Sequence, residues 1–142
     1  MKPFNVRVYA LLEHEGKVLV LHEPFQGQLI CKFPGGGLEF GEGTKDCIKR
    51  ELKEELNLKV DVEAHYYTQD FFKVNAFDPT EQVILIYYKA TTTEKALKKL
   101  EVMDADIVEL LWLYPKDLDA DKFTLDADKV VVEMYKKQNF ES

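Results

Sequence analysis

The spacing of apolar and polar positions changes character several times along the chain. Val6-Arg7-Val8-Tyr9-Ala10-Leu11-Leu12 is β-like, and a second apolar run, Lys17-Val18-Leu19-Val20-Leu21, follows Glu13-His14-Glu15-Gly16. Two such runs around a Gly-containing turn predict a hairpin. Pro24 and Gly27 mark a loop, and a short strand is expected around Leu29 to Phe33. Pro34-Gly35-Gly36-Gly37 should break any regular element. From Thr44 to Leu56 the period becomes helical: Ile48, Leu52 and Leu56 recur at every fourth position and form one apolar stripe. Thr44 is the expected N-cap, and Asn57 stands where a left-handed residue should end the helix.

Beyond the helix, Leu58 to Val74 is a strand region in which Val60, Val62, Ala64 and Tyr66 alternate. Val83 to Ala90 is almost wholly apolar, as a central strand would be. Thr91 to Val102 is ambiguous, since Lys95 to Leu100 could form a short helical turn, and a further strand is expected over Val108 to Leu113. A second helix is expected over Asp126 to Gln138, with Val130, Met134 and Lys137 spaced along it. Strands precede, separate and follow the helices without a βαβ rhythm. The expected class is therefore α+β, an αβα sandwich with a mixed β-sheet between helices, not a Rossmann fold. Without repeat, low-complexity tract or linker, residues 1–142 are expected to form a single domain.

Composition narrows the function. With 19 Lys plus Arg against 26 Asp plus Glu, the net charge is −7, which argues against a polymeric nucleic acid as partner. Cys31 and Cys47 are too few for a disulfide scaffold or zinc finger and are expected to be buried structural thiols. No apolar run approaches the roughly 20 residues of a membrane span. The N-terminus shows no signal peptide, so a cytoplasmic setting is expected. An acidic chain can still handle an anionic ligand if something else supplies positive charge.

Candidate chemistry concentrates between Gly36 and Leu58. On a helical wheel Glu51, Glu54 and Glu55 share about 100° of arc beside the apolar stripe. Like charges at such spacing destabilise a helix, and a hard divalent cation would remove the penalty. A solvated face of a Lys/Glu-rich helix is the plain alternative. Gly35, Gly36, Gly37, Gly41 and Gly43 crowd the approach to this helix, five of the seven glycines in the chain. Such a loop lets the backbone approach phosphate closely. It is not a P-loop, because Glu42 stands where a nucleotide-binding Lys is required.

Together these residues resemble the Nudix box, Gly-x5-Glu-x7-Arg-Glu-U-x-Glu-Glu-x-Gly-U, where U is a bulky aliphatic residue. Here the pattern is Gly36, Glu42, then Arg50-Glu51-Leu52-Lys53-Glu54-Glu55-Leu56-Asn57-Leu58, matching eight of nine specified positions. Asn57 replaces the last Gly. Phe33-Pro34-Gly35-Gly36 is similar to the family's usual lead-in, although Cys31 stands where the family often has Trp.

The resemblance implies a Nudix hydrolase domain that cleaves the pyrophosphate of a nucleoside diphosphate linked to another group. It implies Mg²⁺, or Mn²⁺ in its place, held by Glu51, Glu54 and Glu55 with a backbone carbonyl at Gly36. It implies that Gly35, Gly36 and Gly37 line the substrate site, and that Glu42 and Arg50 form an ion pair orienting the carboxylates. The general base is left open between a box glutamate and Glu81, Asp104 or Asp106. The substrate is a small-molecule nucleotide of the ADP-ribose, nucleotide-sugar or (d)NTP class. His65-Tyr66-Tyr67 and Phe71-Phe72 could stack a base or form a homodimer contact, with core packing expected for about half of them. His65 is expected to have no catalytic role. A non-catalytic nucleotide-sensing or interaction module on the same fold is the alternative function.

Overall fold

The computed structural model describes residues 3–139. Strand β1 (Phe4–His14) turns into β2 (Lys17–Phe25), which turns into β3 (Gln28–Lys32). Both turns are two residues long and left-handed throughout, with φ of 52° and 78° at Glu15 and Gly16 and of 49° and 79° at Gln26 and Gly27. That conformation matches the twist of the flanking strands. Pro24 thus lies within β2 rather than in the expected loop.

A three-residue strand, β4 (Gly35–Gly37), leads through a loop to helix α1 (Thr44–Leu56). Strands β5 (Asp61–Thr68), β6 (Val74–Asn75) and β7 (Asp78–Thr91) follow. One turn of helix, α2 (Glu94–Leu97), strand β8 (Glu109–Leu113) and helix α3 (Asp126–Asn139) complete the described chain.

The expectation that residues 34–37 break all regular structure does not hold. Gly35–Gly37 pairs antiparallel with Arg7–Tyr9. Backbone pairing needs no side chains, and here their absence is required. A Cβ on Gly35 would lie 2.1 Å from the Val8 carbonyl oxygen, and φ there is 149°.

The sheet is mixed. β1 runs parallel to β7 from Phe4 to Glu13, and β5 and β6 flank β7 antiparallel. β1 and β2 pair only beside their turn. Farther along, β3 adds to β2 and β4 adds to β1, so both continue the sheet where the first hairpin has parted. β8 joins the other side of β2.

Both faces of the sheet are covered, which explains the nearly unbroken apolar runs of β1 and β7. On one face Val8, Ala10, Leu12, Leu19 and Leu21 pack with Ile48, Leu52, Leu56 and Leu58 of α1 and its exit. On the other face Tyr9, Leu11, Val18, Val20 and Tyr87 pack with Phe123, Val131, Val132 and Tyr135. The helix–sheet–helix sandwich expected from the sequence is the observed architecture.

Two helix details differ from expectation. Gly43, not Thr44, is the N-cap of α1, in extended conformation and with no side-chain capping bond. The Thr44 hydroxyl instead pairs with the Tyr88 hydroxyl at 2.8 Å. On α3 the buried face is Ala127, Val131, Val132 and Tyr135, while Val130 is exposed. Asn57 does close α1 in the left-handed region, and its N–H donates to the Lys53 carbonyl at 3.0 Å.

Candidate active site

Helix α1 lies across β4, so its carboxylates meet the glycine backbone. Arg50 is the hub. Its Nε and Nη2 donate to the two oxygens of Glu42 at 3.0 and 2.7 Å. Nη2 also donates to the Gly37 carbonyl at 2.9 Å, and Nη1 reaches Glu51 at 2.9 Å and Glu54 at 3.2 Å. The bidentate pair fixes the guanidinium plane. The bond from Arg50 also holds the Glu42 carboxyl down at about 2. One arginine thus joins loop, strand and helix.

The box glutamates have different surroundings. Glu54 is exposed. Glu51 sits against Gly36, where an added Cβ would fall 2.4 Å from the Glu51 carboxyl carbon. Glu55 is partly buried, and its Oε2 is fully buried with no hydrogen-bond partner. Its carboxyl is pushed up to about 8, first by burial and further by Glu51 and Asp104, with Lys32 opposing. An orphaned, desolvated carboxylate oxygen beside a second carboxylate costs free energy unless a cation joins them. These residues therefore fit a hard divalent ion. The ligand atoms of the three box glutamates do not all lie within 4.8 Å of one another, and Arg50 engages Glu51 and Glu54. Among the described residues the one trio of ligand atoms within 4.8 Å is His14, Glu15 and Glu94, at the far hairpin end.

Next to this helix edge lies a cavity of about 290 Å³ whose lining includes Arg7, Tyr9, Lys32, Lys73, Asn75 and Asp128. Arg7 and Lys32 both feel the charge of Glu55, and Arg7 also that of Glu51. Arg7 Nε donates to the Tyr9 hydroxyl at 2.7 Å, and Lys32 pairs with Glu23 at 2.9 Å. Asp128 is 1% exposed, takes a hydrogen bond from the Tyr87 hydroxyl, and is pushed up to about 7 by burial. The cationic walls supply the positive charge that the net balance lacks. Sequence reasoning missed Arg7, Lys32 and Asp128. The available signal was an arginine inside an otherwise apolar strand and an aspartate on the inward face of α3.

The open candidates for a base are separated by the fold. Asp104 lies in the loop that covers the end of α1, where the Met103 N–H donates to the Glu55 carbonyl at 2.7 Å. Glu81 Oε1 accepts from Asn5 and Asn75 at 2.8 and 2.7 Å, which ties it to the β1–β7 edge. Asp106 is exposed, and its N–H caps Asp104. His65 bonds Thr68 at 2.8 Å and sets its edge on Tyr88. Tyr66 and Tyr67 are partly buried against the core, whereas Phe72 is exposed.

The NUDIX domain model matches residues 1–134. The chain belongs to the Nudix family. An uncharacterized Nudix hydrolase of Nostoc sp. is 32% identical over 88 residues, 59% of this chain and 46% of that protein. The CTP pyrophosphohydrolase of Escherichia coli is 36% identical over 64 residues, 44% of this chain and 47% of that protein. The chain thus spans about half the length of the curated relatives it matches. Among solved structures, the E. coli ORF135 protein superposes with a TM-score of 0.74 at 21% identity, covering 95% of this chain and 90% of that one. The MutT protein of Methanosarcina mazei gives 0.74 at 18% identity, covering 97% and 96%. These structures share the Nudix fold, and nucleotide hydrolases of the family generally use divalent metals. Among the described residues no helix is long and apolar enough to cross a membrane.

Proposed function

We propose that this Nudix protein is a Mg²⁺-dependent hydrolase that cleaves the pyrophosphate of a nucleoside diphosphate linked to another group. Residues 1–142 act as one domain on this reading. The observation that carries it is Glu55. A carboxylate oxygen buried without a partner, next to Glu51, which itself sits against Gly36, is a metal ligand in waiting.

Glu51, Glu54, Glu55 and the Gly36 carbonyl would hold Mg²⁺, or Mn²⁺ in its place. Bound there, the ion supplies charge that polarises phosphoryl oxygens and lowers the pKa of a water. The chain does the rest. Arg50, braced by Glu42, orients Glu51 and Glu54 toward the ion site. Gly35, Gly36 and Gly37 let the phosphates approach the backbone. Arg7 and Lys32 face the phosphates from the cavity side, and Tyr9, Leu85 and Asp128 enclose the base. The general base is drawn from the acids on this edge, Glu54, Glu55 and Asp104.

The substrate is a small nucleotide from a cytoplasmic pool, of the ADP-ribose, nucleotide-sugar or (d)NTP class. Among these the nucleoside triphosphates are favoured, since the CTP pyrophosphohydrolase of E. coli is a relative at 36% identity. A panel of ADP-ribose, UDP-glucose, CTP and dGTP with Mg²⁺ tests the reading. Release of pyrophosphate or nucleoside monophosphate from at least one member is expected. Tight binding of nucleotides with no turnover on any of them would replace hydrolysis with a sensing role.

A further inference from the structure

Three neighbouring strands set a cysteine, a histidine and a glutamate in one row. His22 on β2 is the registered partner of Cys31 on β3 and, from the other side, of Glu109 on β8. Directly opposed residues project from the same face of a sheet. His22 Nε2 lies 3.2 Å from Cys31 Sγ. His22 Nδ1 is buried and lies 3.3 Å from Glu109 Oε1, within ion-pair distance, but makes no hydrogen bond to it or to any other described residue. A thiol with a base within reach can be activated, and a carboxylate at ion-pair distance favours the protonated base once it has taken the proton. Cys31 is buried under the sheet's covering layer, yet it forms part of the wall of the 290 Å³ cavity. A small molecule entering that cavity meets it.

The hydrolytic reaction uses none of these three residues. Cys47 provides the contrast within the same chain. It is fully buried on the opposite face of the sheet, and its thiol is pushed up to about 12, chiefly by burial. It stands 3.5 Å from the Gly37 carbonyl oxygen and 3.9 Å from Arg50 Nη2, and among the described residues no histidine bonds it.

We propose that Cys31 is a modification site, a thiol activated by His22 toward small electrophiles that enter the cavity, hydroperoxides above all. Burial raises the Cys31 thiol, with Lys122 opposing and Asp119 and Glu109 adding. The thiol therefore rests protonated, and its reaction needs His22 to take the proton. With hydrogen peroxide, Sγ attacks one oxygen and the O–O bond breaks. The thiol proton passes to His22 Nε2 and on to the departing hydroxide. The products are cysteine sulfenic acid and water, with two electrons moving from sulfur to peroxide. Cys47 lies across the sheet and cannot resolve the sulfenic acid as a disulfide, so an external thiol restores Cys31. The added oxygen occupies the cavity wall. Its effect on hydrolysis rests on the function proposed above, whereas the chemistry of the thiol does not.

Peptide mapping after brief treatment with hydrogen peroxide and dimedone, or with iodoacetamide, is the test. Cys31 is expected to react at least tenfold faster than Cys47 in the native protein. His22→Gln should lower the Cys31 rate about tenfold and Glu109→Gln about threefold, with unchanged far-ultraviolet dichroism and melting temperature. Glu109 is half exposed, so its variant should fold even if the His22 variant does not. Equal rates at the two cysteines, or a Cys31 rate indifferent to both substitutions, would overturn the proposal. CTP with EDTA is expected to protect Cys31. Fast, His22-dependent labelling without protection would leave the thiol assignment standing and count against the nucleotide cavity.

Discussion

Arg50 grips Glu42 by two parallel bonds, Nε to Oε2 at 3.0 Å and Nη2 to Oε1 at 2.7 Å. The two residues belong to different pieces of structure, the glycine loop and α1. The pair therefore fixes where the loop sits and which way Glu51 and Glu54 point. Partners of this outer kind typically change metal affinity or activity by about 10–100-fold. Glu42→Gln should lower kcat/KM within that range and weaken Mg²⁺ activation, with little change in melting temperature. Because the Glu42 carboxyl is held down at about 2, the clamp contributes above the ordinary carboxylate range and is lost only as pH falls toward 2. Steady-state rates across Mg²⁺ concentration check the first part, and an acid titration followed by fluorescence checks the second.

Gly36 is expected to be intolerant for a reason specific to the site. A methyl group there would lie 2.6 Å from each Glu51 carboxyl oxygen, inside van der Waals contact for a Cβ. Gly36→Ala should displace the carboxylate and raise the Mg²⁺ concentration needed for half-maximal rate by roughly tenfold or more. Isothermal titration with Mg²⁺ on the folded variant measures this separately from turnover.

The stripe on α1 holds the carboxylates against the sheet. Leu52 is fully buried among Val8, Ala10 and Leu21. Leu52→Ala should cost about 2–5 kcal/mol, the usual range for a core leucine whose cavity relaxes only in part. Urea unfolding reads the change as a shift in midpoint at constant slope.

Asp128 should leave a mark on stability against pH. Burial raises its carboxyl to about 7, with the Tyr87 hydroxyl and Lys32 opposing. The folded chain then holds a proton that the unfolded chain releases near pH 4. Its contribution is present below the unfolded value and is lost as pH rises through about 7, at up to about 1.4 kcal/mol per pH unit. Asp128→Asn should flatten the decline between pH 5 and 7. In the nucleotide panel the same variant should change KM more than kcat, because Asp128 lines the cavity away from the box.

Much of this was legible from local pattern. The 3.6 period of α1, the αL residue Asn57 and the apolar stretches of β1 and β7 are features of short windows, and the structure has them where the sequence places them. The shared helix edge of Glu51, Glu54 and Glu55 follows from their spacing, whereas the Glu42–Arg50 pair was implied by the resemblance to the Nudix box. Strand β4 was not legible, because Gly35–Gly37 carries no side-chain signal and pairs only because β1 lies beside it. Arg7, Lys32 and Asp128 come together only once β1, β3 and α3 are placed in three dimensions. The row of Cys31, His22 and Glu109 depends on the register of three strands, which no single window specifies.

Glu55, with its buried Oε2, and its neighbours are expected to hold the metal on which turnover depends. The most direct measurement is the initial rate of CTP hydrolysis with Mg²⁺, with EDTA, and with Mg²⁺ in Glu54→Gln and Glu55→Gln, on protein whose fold is checked by dichroism. Expected are no turnover with EDTA, recovery on adding Mg²⁺, and losses in both variants beyond the ~10–100-fold of an outer partner. Turnover that persists in EDTA, or is unchanged in both variants, would contradict that expectation.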